Sequence, residues 1–386
     1  MPSLSELRLT FGDAEVPYLY GMDCAADLAP AILQRLGDVD TLLFVLDRGV
    51  GGHAAGIVAA LGALTRVEVH AVDAAERHKT LTTVQAVMET AIARGLTRRS
   101  AVVAMGGGTV GNIAGLAAAL LFRGTRLVHL PTTPVAAFDA TVSLKQGVNL
   151  SAGKNLCGTY FVPAMIACDL TWLSTVPRAD MLTGLAEMVK NVLVAAPALQ
   201  DKLTGAIAGL AEQPRAALGR LLEIGIEAKA PFRRDDPHER RGALIFEYGH
   251  TLGHAIEFAS GGTIWHGEAV AWGMLAAAEI ARQRHGLDGA AVRAHYRLMA
   301  LLDLPHPATR LATLDRDTVR AVLAADNKRG YGPCAPDEVL MVLLAAVGRP
   351  LPGRAGPPLV PVPISTIMDA FDTVARSAFL SAEAMT

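Results

Sequence analysis

The chain is short of aromatic residues, at 5%, and of charged ones, at 19%. Its net charge is −2 and its Lys and Arg residues are scattered. That leaves no basic footprint for nucleic acid, which is not an expected partner. Cysteine is also scarce. Cys24, Cys157, Cys168 and Cys334 form no C-x-x-C pair. Their spacing argues against a disulfide framework or a cysteine zinc site and suits reduced thiols in the cytoplasm. The first residues lack a basic region followed by an apolar run, so no signal peptide is expected. The most apolar stretch, Ala101 to Leu121, is broken by Gly106, Gly107, Gly108, Gly111, Asn112 and Gly115. It reads as strand, turn and helix rather than a membrane span.

What is present is apolar mass. With 386 residues, 51% of them hydrophobic, the chain can build two cores. The first half alternates in character. Thr41–Leu46, Val67–Val72, Ala101–Met105 and Leu127–Leu130 read as strands, and Leu81–Ala93 as a helix. Such alternation predicts a parallel, helix-flanked sheet, with ligands beyond the carboxyl ends of its strands. From about Arg178 helical spacing dominates, over Met181–Ala195, Ala216–Lys229, Leu244–Ala259, Glu268–His285 and Asp317–Ala325. The expected organisation is an α/β domain over 1–176 and an α-helical domain over 177–386. The Pro- and Gly-rich stretch 349–363 reads as an irregular arm, followed by a last helix over Thr366–Phe379.

Two patterns carry chemistry. Gly106-Gly-Gly-Thr-Val-Gly111-Asn112 follows a strand and opens a helix. Such a turn lets the backbone approach a pyrophosphate at the helix N-terminus, although it is not the usual G-x-G-x-x-G. Asp47, ending a strand, suits ribose hydroxyls. The second pattern is a histidine cluster. His250 and His254 are four apart and share a helix face. His266 follows, with Glu247, Glu257 and Glu268 nearby. Imidazoles and carboxylates suit zinc or cobalt. Spacing alone leaves the third ligand open.

At these residues the sequence resembles the sugar phosphate cyclases, whose best-known member is dehydroquinate synthase. The resemblance runs from about Leu42 to Gly348. It rests on Glu76-Arg-His-Lys79, the glycine turn, Pro131-Thr-Thr133, Asp139 to Asn149, Gly153-Lys-Asn155, Gly184-Leu-Ala-Glu-Met-Val-Lys190, Gly249-His-Thr-Leu-Gly-His-Ala-Ile-Glu257 and His266-Gly-Glu268. It implies a dehydroquinate synthase-like fold, a Rossmann-like NAD domain followed by a helical metal domain, and a homodimer. The implied ligands of one divalent ion, Co2+ or Zn2+, are Glu187, His250 and His266. The implied NAD positions are Asp47, Glu76, Lys79, Gly106, Gly107, Gly108, Gly111, Asn112, Thr132, Thr133, Ser143, Lys154 and Asn155. Substrate handling falls on Arg123, Asp139, Lys229 and Lys328, and catalysis on Lys145, Lys190 and His254. Glu247, which departs from the family pattern, is expected either to act as an acid–base group in catalysis or to orient His250 from behind. One NAD-side position also departs: the family often has Asp-Thr where this chain has Asp169-Leu170.

The family position seven residues before His250 usually holds an Arg, and the one three before it an Asn. Here they are Ala243 and Glu247. The loss of an Arg removes the natural partner of a substrate carboxylate, and a Glu would repel one. Leu244-Ile-Phe-Glu-Tyr-Gly-His250 and Asp326-Asn-Lys-Arg-Gly-Tyr331 instead look like the 2-deoxy-scyllo-inosose synthases. These cyclise glucose 6-phosphate for aminoglycoside antibiotics, through transient oxidation by NAD, loss of phosphate, reduction and aldol closure. Another cyclase, of the dehydroquinate or valiolone type, and a metal-dependent polyol dehydrogenase are the alternative readings. A catalytically silent subunit is a further one.

Overall fold

The computed structural model describes residues 4–151, 153–326, 328–354 and 356–376. The chain divides into two compact units. The first holds Met1–Met181 together with Gln213–Ile226 and Arg233–His238; the second holds the remainder. The division falls a few residues beyond the expected 176/177, and two later segments return to the first unit.

The first unit is built on a seven-stranded sheet of order β1-β2-β9-β6-β5-β3-β4. Its strands are β1 (Ser5–Phe11), β2 (Ala14–Gly21), β3 (Thr41–Asp47), β4 (Arg66–Val72), β5 (Ala101–Gly106), β6 (Arg126–Pro131) and β9 (Met165–Asp169). All pairings are parallel except β1 with β2. The helices α1 (Ala25–Leu36), α2 (Gly51–Gly62), α3 (Leu81–Ala93) and α4 (Gly108–Leu120) connect them. Successive residues of a strand face opposite sides. Leu42, Phe44 and Leu46 pack with α1 and α2, whereas Leu43 and Val45 pack with α3 and α4. Burial on both sides explains why β3 and β5 are uninterrupted apolar runs.

The strand order reverses between β3 and β5, so Asp47 and the glycine turn end neighbouring strands at the switch point, where such sheets bind ligands. A separate hairpin pairs β7 (Lys145–Leu150) with β8 (Gly153–Tyr160). Two short helices, α5 (Pro134–Phe138) and α6 (Leu170–Leu173), complete this part. Asp169 is buried. Its carboxylate accepts from the backbone N–H groups of Asp23 (3.0 Å), Cys24 (2.7 Å), Ala25 (3.0 Å) and Thr171 (3.0 Å). It therefore ties the starts of α1 and α6 to the sheet, and Leu170 beside it is core.

The helices from here on are α7 (Arg178–Ala195), α8 (Gln200–Ala208), α9 (Pro214–Asp235), α10 (His250–Ala259), α11 (His266–His285), α12 (Gly289–Ala300), α13 (Pro307–Leu311), α14 (Arg316–Ala324) and α15 (Ile364–Arg376). The centre of the second unit is α11, buried around most of its circumference from Gly267 to Ala281 and packed on α10, α12 and α15. Three expectations need correction here. The helix expected over Leu244–Ala259 is broken. A 3-10 turn covers Gly242–Glu247, and α10 starts only at His250. Gly249 lies between them at φ 78°, a left-handed conformation that glycine alone adopts freely. The helical half also contains strands: β10 (Glu338–Met341) pairs with β13 (Val360–Pro363), and β11 (Leu344–Ala346) with β12 (Arg349–Pro350). The arm at 349–363 is thus partly strand. The last helix begins at Ile364 and is described to Arg376; residues 377–379 of the expected helix, and Asn327 of the Asp326–Tyr331 segment, lie outside the described residues.

Candidate active-site residues

Glu187, His250 and His266 come together in the second unit. One donor atom from each lies within 4.8 Å of the others. Glu187 Oε1 is 3.5 Å from His250 Nε2 and 3.4 Å from His266 Nε2. That oxygen is buried and has no hydrogen-bond partner among the described residues. Its twin, Oε2, receives the buried ammonium of Lys190 one helical turn on. Each imidazole is held from behind. His250 Nδ1 meets the Tyr248 carbonyl at 3.2 Å, and His266 Nδ1 meets Glu257 Oε2 at 3.0 Å. Both Nε2 atoms therefore face the orphaned oxygen. An unpaired carboxylate oxygen and two oriented imidazoles fit a divalent zinc- or cobalt-like ion.

Glycines allow this approach. A Cβ on Gly273 would fall 2.0 Å from the Gly249 carbonyl oxygen, and one on Gly249 would fall 2.6 Å from Met274 Cγ. Thus α10 and α11 touch backbone to backbone, nearer than side chains would permit.

Charge follows geometry. Burial opposes ionisation of Glu187, but Lys190 and the two histidines hold its carboxyl well below the usual range. Burial pushes His250 down to about 4, so it is a neutral ligand at pH 7. Burial also pulls on His266, but the neighbouring Glu187 and Glu257 carboxylates carry it up to about 9. A metal must displace that proton. Affinity for Zn2+ or Co2+ is expected to rise about tenfold per pH unit from 6.5 to 8.5 and to level off above about 9. Competition titration against a chelator at several pH values reads this directly; a flat profile would contradict it. In the metal-free chain the sign reverses. The protonated imidazole contributes stability that is full below 6.5 and lost as pH rises through about 9.

Further groups lie around these ligands. His254 is half-buried, with its ring 5.1 Å from that of His250 and 6.0 Å from that of His266. Burial pushes it down to about 3. Glu247 ends the 3-10 turn, and its Oε2 is 3.9 Å from the Nζ of buried Lys328, which also donates to Asp326 Oδ2 at 2.9 Å. Lys229, buried on α9, holds its ammonium 5.0 Å from the centre of the Phe246 ring.

In the first unit the glycine turn forms a cradle. A Cβ on Gly107 would meet Thr133 Cγ2 at 3.2 Å, and one on Gly106 would meet Asp47 Cβ at 3.3 Å. Gly108 and Gly111 lie in the first turn of α4, and Thr132 Oγ1 is buried with no hydrogen-bond partner among the described residues. Free helix N–H groups, a floor without side chains and an orphaned hydroxyl fit a nucleotide pyrophosphate.

The β7–β8 hairpin is laced to this cradle. Asn112 accepts from the Gly147 N–H at 2.7 Å and donates to the Gly108 carbonyl at 2.8 Å. Lys79 donates to Asn155 Oδ1 at 2.6 Å; its burial lowers its pKa. Asn149 donates to Glu76 Oε1 at 2.8 Å and accepts from the Asn155 N–H at 2.8 Å. Sequence reasoning gave Asn149 no role of its own; only the paired strands bring it to Glu76. Lys154 is exposed on β8, Asp139 follows α5, and Ser143 Oγ accepts from the N–H of Lys145, the exposed first residue of β7.

Arg123 stands apart. It closes a 3-10 turn after α4, whose 13 residues put it about 20 Å along the sheet from the glycine turn. Within one chain it does not join the cradle.

Known proteins match over nearly the whole length. The family model for the 3-dehydroquinate synthase N-terminal region matches residues 69–183, and that for the C-terminal region matches 184–329. The 2-deoxy-scyllo-inosose synthase of Streptomyces lividus is 43% identical over 373 residues, 95% of each chain. A crystal structure of a 2-deoxy-scyllo-inosose synthase complexed with carbaglucose-6-phosphate, NAD+ and Co2+ is 35% identical. It superposes with a TM-score of 0.87, covering 95% of this chain and 99% of the other. The 2-epi-5-epi-valiolone synthase of Streptomyces hygroscopicus subsp. jinggangensis, with NAD+ and Zn2+ bound, is more distant. It is 28% identical with a TM-score of 0.76, over 97% of this chain and 99% of the other.

Proposed function

We propose, from the premise that this chain belongs to the 3-dehydroquinate synthase family, that it is a sugar phosphate cyclase of the 2-deoxy-scyllo-inosose synthase type. Its substrate is D-glucose 6-phosphate, its products are 2-deoxy-scyllo-inosose and phosphate, and its reaction class is carbon–oxygen lyase. The observation that carries this choice within the family is Ala243 with Glu247: an alanine stands where an Arg would receive a substrate carboxylate, and an acid that would repel one stands four residues on. The full-length likeness to the Streptomyces lividus enzyme points the same way.

The first unit holds NAD, and the second holds one divalent ion, Co2+ or Zn2+, on Glu187, His250 and His266. When bound, NAD supplies a reversible hydride acceptor and the ion a Lewis acid for neighbouring sugar oxygens. The chain's own residues do the rest. Lys190 neutralises the second oxygen of Glu187 and so fixes which oxygen is offered. Lys145, Lys229 and Lys328 supply positive charge for phosphate and proton transfer. Glu247 carries a proton to or from the sugar carbon skeleton. His250 does not need it for support, because the Tyr248 carbonyl performs that task. The active form is a cytoplasmic homodimer, in which the second copy could bring an Arg123 that a single chain keeps apart from its own cradle.

Product identification is the test. Purified chain with NAD and Co2+ is expected to release one phosphate per glucose 6-phosphate, form a carbocyclic ketone and accumulate no NADH. It should leave sedoheptulose 7-phosphate and the dehydroquinate precursor unchanged. Phosphate release without a carbocycle would remove the cyclase reading. Accumulating NADH would put a polyol dehydrogenase in its place.

A further inference from the structure

The two metal-facing histidines are supported unequally. His250 leans on a backbone carbonyl and its side chain is only 11% exposed. His266 is the first residue of α11, follows the exposed Trp265, and its side chain is 31% exposed. An imidazole so placed has least packing to hold its ring. It is also the one backed by a carboxylate, with Glu257 Oε2 at 3.0 Å from Nδ1. Glu257 lies on α10, seven residues after His250. Seven residues return to nearly the same helix face two turns on. One face of α10 thus carries a ligand and, two turns later, the support of a ligand on the next helix.

We infer that Glu257 is a positioning residue of the metal centre. Its carboxylate accepts the Nδ1–H of His266, fixes Nε2 as the donor atom and makes this imidazole the stronger donor of the two. A neutral carbonyl cannot polarise His250 to the same degree. Glu257 touches neither the ion nor the sugar; it acts only through His266. The inference rests on the metal reading of Glu187, His250 and His266, and it goes beyond that reading by assigning the residue on which its most exposed ligand depends.

The test uses the full-length chain stripped of metal and titrated with Co2+ against a competing chelator, with the visible Co2+ absorption recorded. Glu257→Gln keeps the size and an acceptor oxygen but removes the charge. It is expected to weaken Co2+ binding about tenfold and to shift the absorption bands. Once saturated with Co2+, it should keep the parent KM for glucose 6-phosphate. Glu257→Asp keeps the charge but withdraws it by one methylene; it should weaken Co2+ binding severalfold, and it carries the test if the glutamine variant does not fold. Phe258→Ala, at the exposed neighbouring position, should bind Co2+ like the parent. Co2+ affinity within twofold of the parent in both Glu257 variants, with unshifted bands, would overturn the inference while leaving the metal reading intact. A parent chain that binds no Co2+ would overturn both.

Discussion

Glu247→Gln is expected to lower kcat for phosphate release from glucose 6-phosphate by about 10²–10⁴-fold, the range spanned by positioned acid–base groups, with metal content unchanged. The amide preserves the shape of the side chain at the end of the 3-10 turn and removes only its capacity to carry a proton. Metal content is expected to hold because His250 Nδ1 is supported by the Tyr248 carbonyl at 3.2 Å, not by Glu247. The position suits an acid–base group. Glu247 Oε2 is 3.9 Å from the Nζ of Lys328, and Lys328 is held by Asp326. The carboxylate therefore has a positive charge beside it. KM should change little, since the variant keeps the lysines proposed for phosphate. Loss of metal together with activity would make Glu247 a support of the ion instead. An unchanged kcat would remove it from proton transfer altogether.

The two ends of this site differed in how legibly the sequence wrote them. His250, His254 and His266 fall within seventeen residues and announce themselves. Spacing does not say which of them bind an ion, and His254 is the one left outside the set of converging donors. Glu187 gives no such signal. It lies sixty-three residues before His250, on a stretch of α7 buried from Gly184 to Val194, where a glutamate looks like one more helix former. Only the family resemblance raised it, and the orphaned Oε1 gives that assignment a physical basis.

The fold was legible where burial is two-sided. The parallel strands β3 and β5 are continuous apolar runs, β6 is one interrupted by the buried His129, and the ends of all three came out within a residue or two. The β7–β8 hairpin was not legible as strands. Along β8 most residues are exposed, so there is no alternation of apolar and polar to read. Its strands exist because they pair with one another and because Asn112 and Asn149 fasten them to the cradle. The break at Gly249 was missed for a related reason. Apolar spacing runs across it unbroken, and the need for a glycine comes from α11, which presses on that residue from the side.

Packing of the same kind sets the second large effect. Gly267→Ala is expected to cost at least about 100-fold in Co2+ affinity and about 1–3 kcal/mol in stability, the range of an overpacked core site. A Cβ there would stand 2.5 Å from Thr183 Cα and 3.0 Å from Thr183 N. Neither atom can rotate away, because both belong to the backbone of α7. The helices must separate by about 1 Å to restore van der Waals contact. Thr183 is one turn before Glu187, and Gly267 adjoins His266. The separation therefore enters directly into the 3.4 Å between Glu187 Oε1 and His266 Nε2. Metal–ligand distances tolerate only about 0.2 Å, so an ion would lose either the carboxylate or the imidazole. Gly205→Ala is the matched control. It lies on α8 with nothing within 4 Å of the added carbon, and it should leave Co2+ affinity unchanged while stabilising its helix by about 0.5–1 kcal/mol. Chelator competition and urea midpoints on both variants read the two quantities separately. A Gly267→Ala chain that binds Co2+ as tightly as the parent would mean that α7 and α11 can part without disturbing the donors, and that the glycine contact is not what sets the metal site's geometry.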